Sequence, residues 1–423
     1  MQGAGSLDAM SSGGLSEARL GRMHQVMEGY VERGELPGLV TLVSRRGEVV
    51  VDAIGTMAAD GAEPLGRETI FRISSMTKPV TAVATMILLE ECLLRLDEPV
   101  DRLLPELAGR RVLKGIDGPL EDTVPAARPI TVRDLLTFCM GFGIIMAEPD
   151  STPLLRAMSG LRLGQGPPDP QEPPGGDEWI RNLGTLPLVH QPGERWMYNT
   201  GSDVLGVLIA RASGRPCEAF LRERVFEPLG MSDTGFSVPG DDIGRLATAY
   251  RTDPATGGLS LYDDPATGGL SLYDDSATGQ WSVAPRFASG GAGLVSTVDD
   301  YLAFGQMLLD GGRHGSGRIL SRPSVATMTT DHLMPGQKAV SGLVPGFFDS
   351  HGWGFGVSVV TRRDVVPGSI GTFGWDGGMG TSWFSDPDEE LVVVRMTQCA
   401  WPSANTPKVC HDFWNSAYAA IDD

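Results

Sequence analysis

Positive charge is scarce in this chain of 423 residues. Its 34 Lys and Arg face 53 Asp and Glu, a net charge of −19. Binding a phosphate backbone needs clustered cations, so nucleic acid is excluded as a partner, and the excess acid serves solubility. Long apolar runs are missing as well. Hydrophobic residues make up 41% of the chain, enough for a sizeable core. No stretch approaches the roughly 18 consecutive apolar residues of a membrane span, so no membrane partner is expected. Cysteine is thin and scattered: Cys92, Cys139, Cys217, Cys399 and Cys410. An odd count with no C-x-x-C pair reads as reduced thiols rather than a disulfide framework. The six histidines show no H-E-x-x-H or similar spacing, so neither metal nor other cofactor is expected. Met1 to Gly14 has no basic n-region and no apolar h-region, hence no secretory signal. Together with the thiols, this gives a cytoplasmic expectation.

What is present reads as strands near both ends and helices between. Residues 1–15 form a Gly/Ser-rich tail, expected to be disordered. Ser16 caps a helix carrying Leu20, Met23, Met27 and Val31. Two β-branched runs around Arg45-Arg46-Gly47 read as a hairpin. Asn199 to Ser213 is a buried helix. Strands follow at 355–361, 381–385 and 391–397, and a helix with Cys410, Phe413, Trp414, Ala417 and Ile421 on one face closes the chain. These imply an α+β fold: one antiparallel sheet flanked by helices and built from both chain ends, with a mostly helical domain inserted. The boundaries expected are 16–80 with 290–423 for the sheet domain and 81–289 for the helical one, with the site between them. Gly141 to Gly193 reads as irregular. Its Pro/Gly-rich centre, 166–176, is either a wall of the site or a surface insertion. An 11-residue unit, Asp253 to Asp263, recurs identically at 264–274 and carries no evident chemistry.

The chain is organised around Ser75-Met76-Thr77-Lys78. A serine hydroxyl is a poor nucleophile at neutral pH and needs a base within hydrogen-bond reach. If a helix opens at Ser75, Lys78 lies one turn up the same face, and a desolvated ammonium there can lose its proton. The first N–H groups of that helix are also free to meet an oxyanion. Two fixed residues are a weak signal, however, and by themselves they read equally as a helix cap and a solvated lysine. Two further stretches supply context. Pro192-Gly193-Glu194-Arg195-Trp196-Met197-Tyr198 sets a tyrosine at the mouth of a buried helix, as a base or as a core phenol. Phe373-Gly374-Trp375-Asp376-Gly377-Gly378 beside a strand can supply an oxyanion N–H, or can be a bulge with a packed Trp.

In this order and at these separations, the three motifs resemble the serine β-lactamase and penicillin-binding protein superfamily. The likeness is to its class C-like branch and, through Trp-x-Gly, to the family VIII carboxylesterases. It runs from about residue 16 to 421 and includes Ile130 to Leu136, Glu227 to Met231 and Gly291 to Leu294. The resemblance implies a transpeptidase-like fold with Ser75 as acyl-accepting nucleophile. It makes Lys78 and Tyr198 the proton-handling pair and the N–H groups of Ser75 and Gly378 the oxyanion hole. Trp375, Asp376 and Gly377 then line the substrate site where β-lactamases carry Lys-Thr-Gly.

Departures from the family pattern point to the substrate. Trp375 stands where a lysine holds the carboxylate of a β-lactam, which disfavours anionic substrates. Thr200 occupies the Asn position of Tyr-x-Asn. The stretch Leu135 to Gly141 has lost its polar residues, leaving Phe138 and Met140 as candidates for an apolar acyl pocket. The expected activity is hydrolysis of small neutral or apolar carboxylic esters through an acyl-serine. The alternatives are acyl transfer, amide or peptide hydrolysis including weak β-lactam opening on the same machinery, and last a non-catalytic scaffold.

Overall fold

The computed structural model describes residues 13–252, 270–364 and 367–423. Helix α1 (Glu17–Glu32) precedes a hairpin of β1 (Gly38–Arg45) and β2 (Glu48–Gly55). Arg46 and Gly47 both take positive φ, 48° and 83°, giving the two-residue turn whose twist suits adjoining strands. A short strand β3 (Phe71–Arg72) and a single 3-10 turn, Ser74–Met76, lead into α2 (Thr77–Glu90). Helix α3 (Thr200–Ser213), strand β4 (Val295–Ser296) and helix α4 (Val298–Leu309) follow. The last part contributes β5 (His351–Trp353), β6 (Ser358–Val360), β7 (Phe373–Gly377), β8 (Thr381–Asp386), β9 (Leu391–Thr397) and helix α5 (Lys408–Ala419).

Seven of these strands form one sheet in the order β5-β6-β7-β8-β9-β1-β2, antiparallel throughout. The sheet is thus built from both ends of the chain, as the strand pattern implied. Strand β1 is buried along its whole length, because both of its faces are covered. Leu39 and Val43 point with Leu391 and Val393 toward Met23 and Met27 of α1 and Phe413 of α5. Val40 and Leu42 point with Val392 and Val394 into the larger core that holds Val83 of α2 and Phe304 of α4. Alternation with period two explains why these strands read as unbroken apolar runs while still serving two separate cores.

Outside the sheet, β3 pairs with β4, setting Arg72 opposite Val295. That pairing, and the Ile73 N–H bond to the Leu294 carbonyl, fasten the Ser75 turn to the glycine loop before β4. Arg72 is buried and donates through Nε to Asp274 at 2.8 Å.

Several expectations are corrected. Gly141 to Gly193 is not irregular throughout, since it holds helices Pro153–Gly160 and Gly176–Thr185. The second has Trp179, Ile180 and Leu183 buried on one face, a helical period that the flanking prolines obscured. Residues 166–176 lie against the 273–283 stretch, where Gln171 Nε2 donates to the carbonyls of Gln280 (2.9 Å) and Val283 (3.0 Å). Of the tail, residues 1–12 lie outside the described residues. Gly13 donates to Glu48 at 2.6 Å, and Leu15 is buried and bridges to Ile421. The repeated unit falls largely outside the described residues, but its end, Leu270–Asp274, is a strand paired with Ala249–Thr252. All five cysteines are free thiols. No helix among the described residues is long and apolar enough to cross a membrane.

Candidate active site

Helix α2 is apolar and buried on nearly all sides, so it is a rigid mount in the middle of the molecule. Pro79 sits in its first turn, where a missing N–H costs no helical bond. Just before it, Ser74 is held at φ 45°, a left-handed conformation that a non-glycine residue adopts at a cost. The result is that Ser75 and Lys78 share one face. Lys78 Nζ lies 2.9 Å from Ser75 Oγ and donates to the Gly291 carbonyl at 2.7 Å. The lysine is fully buried, and desolvation draws its pKa down to about 7, opposed by the charge of Asp203. Near neutral pH a large share of it is therefore uncharged, with a lone pair to offer the serine proton.

Asp203 is a group beside the Ser75 and Lys78 pair that the sequence reading missed. It is a buried carboxyl on α3 whose Oδ1 accepts from Ser289 Oγ at 2.6 Å and from the Gly291 N–H at 3.0 Å. Gly291 thus faces both groups, its N–H bound to Asp203 and its carbonyl to Lys78. Burial pushes the Asp203 pKa up, so both members of the pair are driven toward their neutral forms. The adjoining glycine is forced: a Cβ on Gly290 would come within 2.4 Å of the Ser202 carbonyl oxygen. A signal was available in the lone carboxylate that immediately precedes the apolar run Val204 to Ile209.

Tyr198 reaches the site through a sharp γ-turn. Asn199 has φ 82° and ψ −68°, and the Thr200 N–H closes on the Tyr198 carbonyl at 3.3 Å. The Tyr198 ring lies over Lys78, with Nζ 4.5 Å from its centre. Its hydroxyl accepts from Trp375 Nε1 at 2.6 Å. Burial raises the phenol well above its ordinary range, opposed by hydrogen bonding with Ser75 and Trp375. An indole N–H supports a phenolate less than an ammonium does. The tyrosine is accordingly the neutral, proton-bearing member of the set and Lys78 the basic one.

The structure brings Gly377 and Gly378 to Ile73 and Ser74, the residues just before Ser75. Ile73 accepts at its carbonyl from Thr381 Oγ1 at 3.1 Å, and a Cβ on Gly377 would sit 2.3 Å from that same oxygen. The side-chain atom nearest a Cβ on Gly378 would be Ser74 Oγ, at 4.0 Å. Asp376 is not brought to the substrate side. Alternation along β7 sends it to the opposite face of the sheet, across from Ser382 and on toward Arg395, which reaches Cys410 of α5. There burial pushes its pKa up to about 6. Met140 is also displaced, being part of the main core. Phe138 is in the aromatic cluster, buried edge-on to Tyr198 with centroids 5.8 Å apart. Among the described residues no group of three or more His, Cys, Asp or Glu is gathered to hold a metal.

Comparison with known proteins gives a consistent picture. The profile of the Beta-lactamase family matches residues 23–407. Protein Rv1367c of Mycobacterium tuberculosis is 40% identical over 373 residues, covering 87% of each chain. Esterase EstB of Burkholderia gladioli is 29% identical, covering 96% of each chain. Among solved structures, EstCE1, described as a hydrolase with promiscuous acyltransferase activity, superposes with a TM-score of 0.75 at 27% identity, covering 95% of this chain and 99% of that one. The LovD6 mutant of simvastatin synthase from Aspergillus terreus gives 0.73 at 25%, covering 97% and 98%.

Proposed function

The chain belongs to the beta-lactamase family, and on that premise we propose that it hydrolyses small neutral carboxylic esters through an acyl-enzyme on Ser75. One observation carries the reading. A neutral indole, Trp375, donates to Tyr198 Oη, and by the family resemblance it stands where β-lactamases carry the lysine that holds an anionic substrate. The five free thiols fit a reducing compartment, in keeping with a cytoplasmic enzyme.

The geometry supports the following sequence of proton transfers. Neutral Lys78 takes the Ser75 proton as Oγ attacks the ester carbonyl. The oxyanion forms against the Ser75 and Gly378 N–H groups. As the tetrahedral intermediate collapses, Tyr198 gives its proton to the leaving alcohol. The transient phenolate, supported by the Trp375 N–H, recovers a proton from the Lys78 ammonium. Water then enters, and the same groups run in reverse to free Ser75. An alcohol in place of water gives acyl transfer, a second reading favoured by the aromatic, water-poor surroundings of Tyr198.

The test is a rate comparison of p-nitrophenyl esters of rising chain length beside a chromogenic cephalosporin, with Ser75→Ala as control. Ester turnover, little cephalosporin opening and an inert variant are expected. Cephalosporin opening at comparable rates overturns the argument from Trp375. Product analysis with added alcohols separates hydrolysis from transfer.

A further inference from the structure

An oxyanion hole assembled from two stretches of chain needs something to hold them at one distance. Ser75 lies in the turn after β3, and Gly378 in the turn between β7 and β8. Each turn is fixed on its own. The Met76 N–H closes the Ser75 turn on the Ile73 carbonyl at 3.0 Å. The Ile73 N–H ties that turn to Leu294 at 3.0 Å, and Tyr301 Oη of α4 ties it at the Met76 carbonyl, 2.6 Å away. The Gly380 N–H closes the Gly378 turn on the Gly377 carbonyl at 2.9 Å, and the Trp401 N–H donates to the Gly378 carbonyl at 2.8 Å. None of these bonds runs from one turn to the other.

Thr381 supplies that link. It opens β8 directly across from Gly377, and its Oγ1 donates to the Ile73 carbonyl at 3.1 Å. Among the described residues this is the one hydrogen bond between residues 73–76 and the β7–β8 hairpin. Thr381 and Ile73 are both wholly buried, so water does not compete for it. No side chain fits at the crossing: a Cβ on Gly377 would lie 2.2 Å from Thr381 Oγ1 and 2.3 Å from the Ile73 oxygen. The hydroxyl alone spans the gap, between the residue before Gly378 and the residue two before Ser75. Nor does the Ile73 carbonyl need this donor to be satisfied, since the Met76 N–H already meets it. A valine of the same shape would fill the place in β8 with no polar group to bury.

We propose that Thr381 is a positioning residue of the oxyanion hole: its hydroxyl, bonded to the Ile73 carbonyl, sets the gap between the Ser75 and Gly378 N–H groups. This rests on the esterase reading, which makes those two groups the hole, and adds the side chain that spaces them. Thr381 itself touches no reacting atom. It acts through the two turns, and a shift of either one moves a donor away from the developing charge.

The experiment replaces the substrate's carbonyl oxygen by sulfur. p-Nitrophenyl butanoate and its thiono analogue share an acyl chain and a leaving group, but sulfur is larger and accepts hydrogen bonds weakly. The kcat/KM ratio of oxygen ester to thiono ester, divided by the same ratio for hydroxide in water, reports how well the hole grips oxygen. In the wild type it should stand well above one. Thr381→Val keeps the shape and loses the donor, so kcat/KM on the oxygen ester should fall about tenfold to 100-fold, less than for a deleted oxyanion donor because the donor is only misplaced. The thiono rate should change little, and the ratio should drop by about tenfold. Thr381→Ser restores a hydroxyl and should restore most of the ratio. Because the ratio is taken within one variant, partial misfolding cancels. An unchanged ratio in Thr381→Val, with both rates falling in step, overturns the inference and leaves the threonine a packing residue. So does a ratio in Thr381→Ser as low as that of the valine variant, or a wild-type ratio near one. Each of these leaves the esterase reading standing while the oxygen ester is turned over. No turnover of either ester, with no labelling of Ser75 by a p-nitrophenyl phosphonate, overturns both.

Discussion

Two buried cations stand three residues either side of Ser75, and they behave in opposite ways. Arg72, on β3, meets Asp274 directly, with both side chains almost fully enclosed. Lys78, on α2, has no carboxylate in contact among the described residues; Asp203 acts on it across the Gly291 peptides. Burial lowers both pKa values, but Asp274 at hydrogen-bond distance opposes it for Arg72, and an arginine starts so high that it remains charged. Lys78 instead comes down to about 7. Direct contact makes a fixed structural ion, whereas separation by one peptide layer leaves a proton that can move. The lysine also works against stability. The unfolded chain holds this proton up to about 10.5 and the folded chain only to about 7, so between those values stability rises with pH.

The sharpest way to break the comparison is to make Lys78 resemble Arg72. Lys78→Arg keeps a cation but cannot release its proton, so kcat/KM on esters should fall by about 10²–10⁴-fold, the worth of general base catalysis. Steady-state kinetics on folded protein check it, and a variant retaining a tenth of the activity would remove Lys78 from the role of base. Asp274→Asn is the counterpart on the other side. It strands Arg72 in the interior and should cost about 3–5 kcal/mol, read by denaturant unfolding. Activity per folded molecule should survive, because Asp274 takes no part in proton transfer.

Smaller, and more diagnostic, is the acid limb of the rate profile. In the wild type, kcat/KM should rise with pH through about 7 as Lys78 loses its proton. Asp203 raises that pKa, so Asp203→Asn should move the limb to lower pH, with the variant gaining relative to wild type on the acid side. A loss of rate with an unmoved limb would reduce Asp203 to holding the Gly291 loop in place.

Both cations were visible in the sequence, yet only one could be given its role. Lys78 was legible because its partner is local: three residues within one helical turn fix a distance. The hairpin and the strands of the sheet were legible for the same reason, their period being written in neighbouring residues. Asp203, Ser289 and Gly291 meet only through tertiary packing, as do Arg72 and Asp274, which are 202 positions apart. Asp376 shows the converse error. Adjacency to Trp375 placed it in the site, while the alternation of a strand turns the next side chain to the opposite face. Trp179 and Leu183 lay in a stretch whose prolines and glycines outweighed a four-residue helical period.

The mildest expected change concerns the duplicated unit that supplies Asp274. Its two copies are identical, so deleting 253–263 or 264–274 yields the same chain. Either way Leu-Ser-Leu-Tyr-Asp still precedes Asp275, so the strand that pairs with Ala249–Thr252 and the carboxylate that meets Arg72 are both preserved. Between Thr252 and Leu270 there are 17 residues, and the deletion leaves the 11 of one copy fewer. Shortening that connection lowers its closure entropy by about 1 kcal/mol. The shortened protein should therefore unfold at an equal or slightly higher denaturant concentration, with ester kinetics unchanged. A loss of stability as large as that of Asp274→Asn would mean that the spacing of the duplicated unit, and not merely its final Asp, seats the partner of Arg72.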